Sequence, residues 1–358
     1  FFEMLDFFPT EANYPIQILL GLLAVTICWR LLRKKTRVEY LGKVVAITGG
    51  GSGIGKLMAE RFARKGAAIA VIDLNHDAAL QTVDAIRAAG GVAEAYQLDV
   101  SSREDVYKTF YNIAHELGPV HTLINNAGIV AGKPLMQIPD ALIEKTIAVN
   151  MTSHFWTIKA VLPTMLKKNE GHIVSIASSA AFAGVPQLID YCAAKSGAYA
   201  INDALRVELQ RTGVTGVRTT VVCPYYINTG MFDGVKSWLL PILQPNDVVN
   251  AIVDAVLHGR PEIIIPNLLT AGRLLKVILP TALADAVLKV AGFSSSMADF
   301  KGRHEVPSHP HRHAHDPLED LHFGGNAELM YHYTRSHSKH SRNTLHGVAH
   351  SVGLLSKK

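Results

Sequence analysis

Tyr191 and Lys195 stand four residues apart, and Ser178 precedes the tyrosine by thirteen. On a helix, positions i and i+4 share one face about 6 Å apart. A phenol with an ordinary pKa near 10 is a poor base at neutral pH. An ammonium about 4 Å away, at an effective dielectric of 20, favours the phenolate by about 4 kcal/mol, or about three pKa units. The pair is therefore expected to exchange a proton with an alcohol or a carbonyl near pH 7. A serine hydroxyl at the end of a strand can hydrogen-bond that same oxygen and stabilise charge developing on it. Ser178 and its neighbour Ser179 both qualify. A Tyr-x-x-x-Lys pair alone is also a common surface pair, so its surroundings decide its meaning.

A second constellation lies near the start. A strand runs into Thr48-Gly49-Gly50-Gly51-Ser52-Gly53-Ile54-Gly55 and then a helix. Glycines suit a tight turn and a backbone that must approach a pyrophosphate closely, and the helix N-terminus offers unpaired N–H groups and positive potential. Asp73 ends the next strand, eighteen residues beyond Gly55, where a carboxylate can accept both ribose hydroxyls of an adenosine. It would repel a 2′-phosphate, and Ser52, Leu74 and Asn75 bring no cation. NAD is expected over NADP. Asp99, in Leu98-Asp99-Val100, can reach the adenine amino group or cap a helix, a role Ser101 and Ser102 could fill equally.

These groups need elements to hold them. Short runs at 43–48, 68–73, 93–98, 122–125, 172–175, 218–222 and 263–266 are apolar almost throughout. Such continuity marks strands buried on both faces, hence a parallel sheet. Helical patterns at 54–65, 78–89, 103–116, 141–166, 191–211 and 247–257 alternate with them. The expected fold class is α/β, a doubly wound (Rossmann) seven-stranded sheet with helices on both faces and ligands at the carboxyl ends of the strands.

Together, Thr-Gly-x-x-x-Gly-x-Gly, the run Asn125-Asn126-Ala127-Gly128 and a serine with Tyr-x-x-x-Lys resemble the short-chain dehydrogenase/reductase family over residues 40–267. The resemblance selects Ser178 over Ser179 and gives Lys195 the nicotinamide ribose. It makes Asn150 the asparagine of a water-linked proton relay, although a buried helical amide can also serve only the backbone. It gives Asn126, Ala127 and Gly128 to the cofactor's ribose and the central sheet, and Thr229 to the carboxamide. The run Cys223-Pro224-x₄-Thr229-Gly230-Met231-Phe232 is similar to the membrane- and lipid-droplet-associated retinol dehydrogenase and hydroxysteroid dehydrogenase branch. One departure stands out: the family usually has Pro-Gly where this chain has Pro224-Tyr225, so the carboxamide pocket is expected to differ in shape.

Composition bounds the rest. The 358 residues are 48% hydrophobic and 18% charged, which excludes a disordered or fibrous chain. Three cysteines, Cys28, Cys192 and Cys223, make no disulfide framework. A formal charge of +5 is too diffuse for a nucleic-acid partner. Residues 1–40 carry an expected membrane anchor, with a span over 14–32 of about 28 Å, close to a bilayer's hydrocarbon thickness. Tyr14 and Trp29 lie near its ends, and Arg33, Lys34, Lys35 and Arg37 follow it. Positive charge after the span predicts a cytosolic catalytic domain. Endoplasmic reticulum or lipid droplet is the expected membrane, with a mitochondrial one as the alternative.

The domain at 41–267 is followed by an apolar extension at 268–300, interrupted by Pro280 and suited to a bilayer surface. The run from Tyr225 to Leu243 is rich in large apolar residues and could lid a lipophilic substrate. A tail at 301–358 holds eleven of the seventeen histidines without a cysteine and defines no metal site. The leading expectation is an NAD-dependent oxidoreductase acting on a retinoid, steroid or long-chain lipid alcohol. The alternative is a dinucleotide-binding accessory subunit of a membrane complex, with homodimer or complex partners reached through the tail.

Overall fold

The computed structural model describes residues 37–302 together with Gly21 and Val25. The expectations for a span at 14–32 and for the histidine-rich tail fall outside these residues, apart from those two positions and the tail's first two. Among the described residues, no helix is long and apolar enough to cross a membrane.

Seven parallel strands form one sheet in the order β3-β2-β1-β4-β5-β6-β7. They are β1 (Val44–Thr48), β2 (Ala68–Asp73), β3 (Val92–Gln97), β4 (Val120–Asn125), β5 (Gly171–Ile176), β6 (Val217–Pro224) and β7 (Glu262–Ile265). Every residue of β1 and β5 is buried, including the polar His172 and Ser175 of β5, as expected of strands covered on both faces. Helices cover both faces. On one, α1 (Gly53–Ala63), α2 (His76–Ala88) and α7 (Pro245–Leu257) bring Met58, Phe62, Val83, Ile86, Val248 and Ile252 against the sheet. On the other, α3 (Arg103–Glu116) and α5 (Ser153–Lys168) contribute Val106, Phe110, Ile113, Ile158 and Met165. The strand order reverses between β1 and β4, and the crevice for a ligand opens at their carboxyl ends.

The helix expected at 141–166 is not continuous. It divides into α4 (Asp140–Ile147), a π-helical turn at Ala148–Thr152, and α5. Polar bonds fix the turn and the first turns of α5: Ser153 Oγ donates to Val149 O at 2.7 Å, and Thr157 Oγ1 donates to Asn125 Oδ1 at 2.8 Å. Such wide turns recur at functional sites because they re-aim a side chain within a helix. The one re-aimed here is Asn150. The next helix, α6 (Ile189–Arg211), starts two residues before Tyr191, earlier than the pattern suggested. Beyond β7 the chain forms α8 (Leu268–Ile278) and α9 (Thr281–Val290), separated at Pro280. Leu274, Val277, Ile278, Leu283 and Val290 project from them into solvent.

Candidate active site

Ser178, Tyr191, Lys195 and Asn150 converge at the carboxyl ends of β4 and β5, and all four are buried. Ser178 follows β5, and its hydroxyl accepts from Ala180 N at 3.2 Å, so the loop orients it. It also hydrogen-bonds the Tyr191 phenol. Ser179, its rival in the sequence, begins a short 3₁₀ turn instead. Lys195 Nζ donates to Ile176 O at 2.8 Å and lies over the Tyr191 ring, 5.6 Å from its centre. Asn150 donates through Nδ2 to Ile129 O and Thr146 O, both at 2.9 Å, while Oδ1 has no partner within the protein. A Cβ on Gly128 would stand 2.7 Å from that oxygen and 3.5 Å from Lys195 Nζ. Glycine at 128 thus leaves an open path between the asparagine acceptor and the lysine donor.

The electrostatics correct one expectation. Burial pushes the Tyr191 phenol well above its ordinary value, and the Ser178 hydrogen bond offsets this only in part. The lysine does not bring the tyrosine near neutrality in this arrangement. Burial instead brings Lys195 itself down to about 8. Desolvation wins because a buried charge loses hydration that one hydrogen bond cannot replace. His154, one turn beyond Asn150 on α5 and buried, is depressed to about 3 by burial and by Lys195. Its neighbours in sequence, Ser153 and Phe155, gave no hint of a position beside the lysine.

The glycine loop is built for close approach. A Cβ on Gly55 would lie 2.0 Å from Gly49 O, and one on Gly51 would lie 2.9 Å from Ala78 Cβ. Gly49 and Gly53 have φ of 65° and 55°, a left-handed region that glycine adopts freely. Thr48 Oγ1 accepts from Asn126 N at 3.0 Å and Ala127 N at 3.1 Å, and Asn126 Nδ2 donates back to Thr48 O and Gly49 O. These bonds staple the end of β1 to the end of β4. Asp73 Oδ2 accepts from Gly51 N at 2.9 Å, so the carboxylate also holds the loop. Gly53 faces Thr229, whose Cβ would lie 3.5 Å from a Cβ at that glycine. A glycine cradle, a helix N-terminus and a carboxylate at the second strand fit a dinucleotide; Ser52 and Ile54 sit at that helix start.

Two further positions, Asp99 and Tyr225, have partners that the sequence did not name. Asp99 is bound by Lys145 Nζ at 2.5 Å and by Ser101 Oγ at 2.7 Å. Burial raises the Asp99 carboxyl, but these partners outweigh it and hold the group low. The cap of α3 falls to Ser102, and Val100 is buried between the two. Lys145 is 46 residues away in sequence and carries no motif. Tyr225, in place of the usual glycine after Pro224, turns its ring toward Tyr226 and Phe293, at 4.7 and 5.9 Å, and bonds Ser237 Oγ at 3.0 Å. It belongs to an apolar cluster containing Tyr191, Tyr226, Leu240 and Met297. Phe232 packs edge-on to Tyr191 at 5.8 Å. The segment after β6 thus closes over the tyrosine, whereas Trp238 and Leu239 are exposed. Cys192 is half-buried and aims at Ala183 O, as a packed residue.

A family model described as short chain dehydrogenase matches residues 43–240. Human epidermal retinol dehydrogenase 2 is 40% identical over 273 residues, covering 75% of this chain and 88% of that protein. Retinol dehydrogenase 10-A of Danio rerio is 36% identical over 315 residues, covering 78% and 93%. Human estradiol 17-beta-dehydrogenase 11 is 38% identical over 260 residues, covering 73% and 86%. Among solved structures, a short chain dehydrogenase/reductase from Burkholderia phymatum in complex with NAD superimposes with a TM-score of 0.62 at 27% identity, covering 67% of this chain and 94% of that one. A metagenomic short-chain oxidoreductase in complex with NADP gives 0.55 at 25%, covering 64% and 98%. The chain belongs to the short chain dehydrogenase family, as an oxidoreductase acting on CH–OH donors.

Proposed function

We propose that the protein interconverts a lipophilic alcohol and its ketone or aldehyde, with NAD as the preferred dinucleotide, at a membrane surface. The observation that carries this reading is the meeting of Ser178, Tyr191 and Lys195 beneath an aromatic wall of Phe232 and Tyr226. A polar substrate would have to surrender its hydration to enter such a wall, whereas an apolar one gains by it. Relatives named for retinol and estradiol support the substrate class. Nicotinamide, when bound, supplies or accepts the hydride. Tyr191 passes the proton to or from the substrate oxygen, and Ser178 donates a hydrogen bond to that oxygen as charge develops. Lys195 holds the cofactor ribose, and Asn150 Oδ1 extends the proton path past Gly128. Asp73 supports the choice of NAD, because its carboxylate repels a 2′-phosphate.

The exposed apolar faces of α8 and α9, with Lys276 and Lys289 among them, suit a bilayer surface beside an anchor at 14–32 and a cytosolic catalytic domain. The decisive experiment follows NADH fluorescence with the full chain in detergent against retinol, steroid alcohols and fatty alcohols. Turnover of one class, with little on short polar alcohols, is the expected result. NAD binding without turnover of any of them would overturn the reading and favour an accessory subunit.

A further inference from the structure

After α9 the chain doubles back onto the catalytic face. Lys301 N and Gly302 N both donate to Asp233 O, at 2.9 and 3.3 Å, and Lys236 N donates to Ser296 O at 3.0 Å. Tyr226 Oη and Ser296 Oγ are 3.1 Å apart, and Lys236 pairs with Asp299 at 2.6 Å. Met297 is buried in the same cluster as Tyr191. These contacts fix a ten-residue arm, 293–302, to the lid that follows β6.

The arm also reaches the opposite side of the site. Phe300 is seated on Gly132, in the loop after β4, where a Cβ would stand only 1.9 Å from its Cε1. Gly132 has a φ of 65°, a second reason for glycine there. On its other side Phe300 lies 6.4 Å from Phe232, which in turn meets Tyr191 edge-on at 5.8 Å. Three rings thus run in a row from the β4 loop to the reacting phenol. A substrate whose oxygen reaches Tyr191 must fit beside Phe232, and Phe300 is the next ring beyond it.

We propose that Phe300 determines substrate size: seated on Gly132, it holds Phe232 against Tyr191 and so limits the bulk admitted at the reacting oxygen. It acts through Phe232 and is a positioning residue. The kinetic side of this proposal rests on the alcohol-dehydrogenase reading above; the structural side does not.

The test uses the full chain with two readouts. One is kcat/KM with NAD across secondary alcohols of one to four fused rings. The other is amide hydrogen exchange over residues 226–240. Phe300→Ala should raise the four-ring to one-ring ratio of kcat/KM by about tenfold, the scale on which a hydrophobic pocket discriminates volume. Exchange over 226–240 should quicken while that of β1 and β5 and the Kd for NAD stay unchanged. Gly132→Ala should act in the same direction, by unseating the ring, and Phe300→Leu should fall between. An unchanged size ratio in a folded Phe300→Ala protein, or unchanged exchange over 226–240, overturns the proposal. If the wild type oxidises none of the alcohols, the proposed activity falls. Exchange then decides alone: faster exchange upholds the hold on the lid, and unchanged exchange removes it.

Discussion

Lys195 sets its ammonium over the face of the Tyr191 ring, 5.6 Å from the centre, and spends a hydrogen bond on Ile176 O. Both side chains are buried, and burial drives them in opposite senses. The phenol is held in its protonated form and the ammonium is weakened. Either neutral form costs less than a buried, poorly hydrated ion.

Replacing Tyr191 with Phe should leave the Kd for NAD nearly unchanged and lower kcat by about 10²–10⁴-fold, the range of general acid–base catalysis. Ser178→Ala should cost about 10²–10³-fold, as for one preorganised donor to an oxyanion. Steady-state kinetics with a confirmed alcohol measures both. Normal turnover by the Tyr191 variant would refute the assignment.

Lys195→Met should abolish most activity yet stabilise the fold at pH 7 by about 1–3 kcal/mol. The folded value of about 8 lies below the ordinary 10.5, so the unfolded chain binds more protons between those limits. Stability from this group therefore rises with pH from about 8 to 10.5 and is lowest below 8. Denaturant melts at pH 7 and pH 9 should show the variant's advantage shrinking at the higher pH. A variant less stable than the wild type at pH 7 would contradict the reasoning.

Acid should unfold the protein early. Burial brings His154 and His172 down to about 3 and His121 to about 4, against 6.5 when free. Unfolding lets each take a proton that the fold refuses, so stability drops as pH falls from 6.5 toward 3. Each contributes a slope of about 1.4 kcal/mol per pH unit. His172→Gln should flatten the dependence of unfolding free energy on pH by about that amount between pH 6 and 4. An unaltered slope would show that carboxylates alone set it.

NAD should bind at least about tenfold tighter than NADP, about 1.4 kcal/mol, because the 2′-phosphate meets Asp73. Asp73→Ala should narrow the ratio. It should also weaken both dinucleotides, since Gly51 N loses its acceptor. Titration calorimetry with the two cofactors separates these effects, and equal affinities in the wild type would dismiss the first.

A photoactivatable label confined to the lipid phase of vesicles should attach to residues 274–290, and Val277→Asp with Ile278→Asp should suppress it. Labelling that spares α8 and α9 would leave their exposed leucines and valines without a bilayer.

Much of this was legible in the chain. The seven strands followed from apolar runs that need burial on both faces, and the glycine loop followed from residues that only a close backbone approach requires. Boundaries moved by a residue or two, as where Val92 and Ile189 start their elements ahead of the expected positions. The turn at Ala148–Thr152 left no trace, because no glycine or proline marks it and the amide it aims, Asn150, finds a partner at Ile129 O, in the loop after β4. The upward push on Tyr191 was equally hidden. It depends on the burial that Phe232 and Met297 provide from far along the chain. Local spacing reports which groups can meet, but dielectric is a property of everything around them.

The widened turn at Ala148–Thr152 makes the number of residues there matter as much as their kinds. Each residue of a regular helix advances the face by about 100°. Deleting one residue between 148 and 152 would close the turn into an ordinary helix at little local cost. It would also swing Asn150 away from Gly128, or rotate α5 out of its seat beneath β4. Tolerance to insertion and deletion in this stretch should therefore be far lower than its plain composition suggests, with single-residue length changes doing more harm than most substitutions.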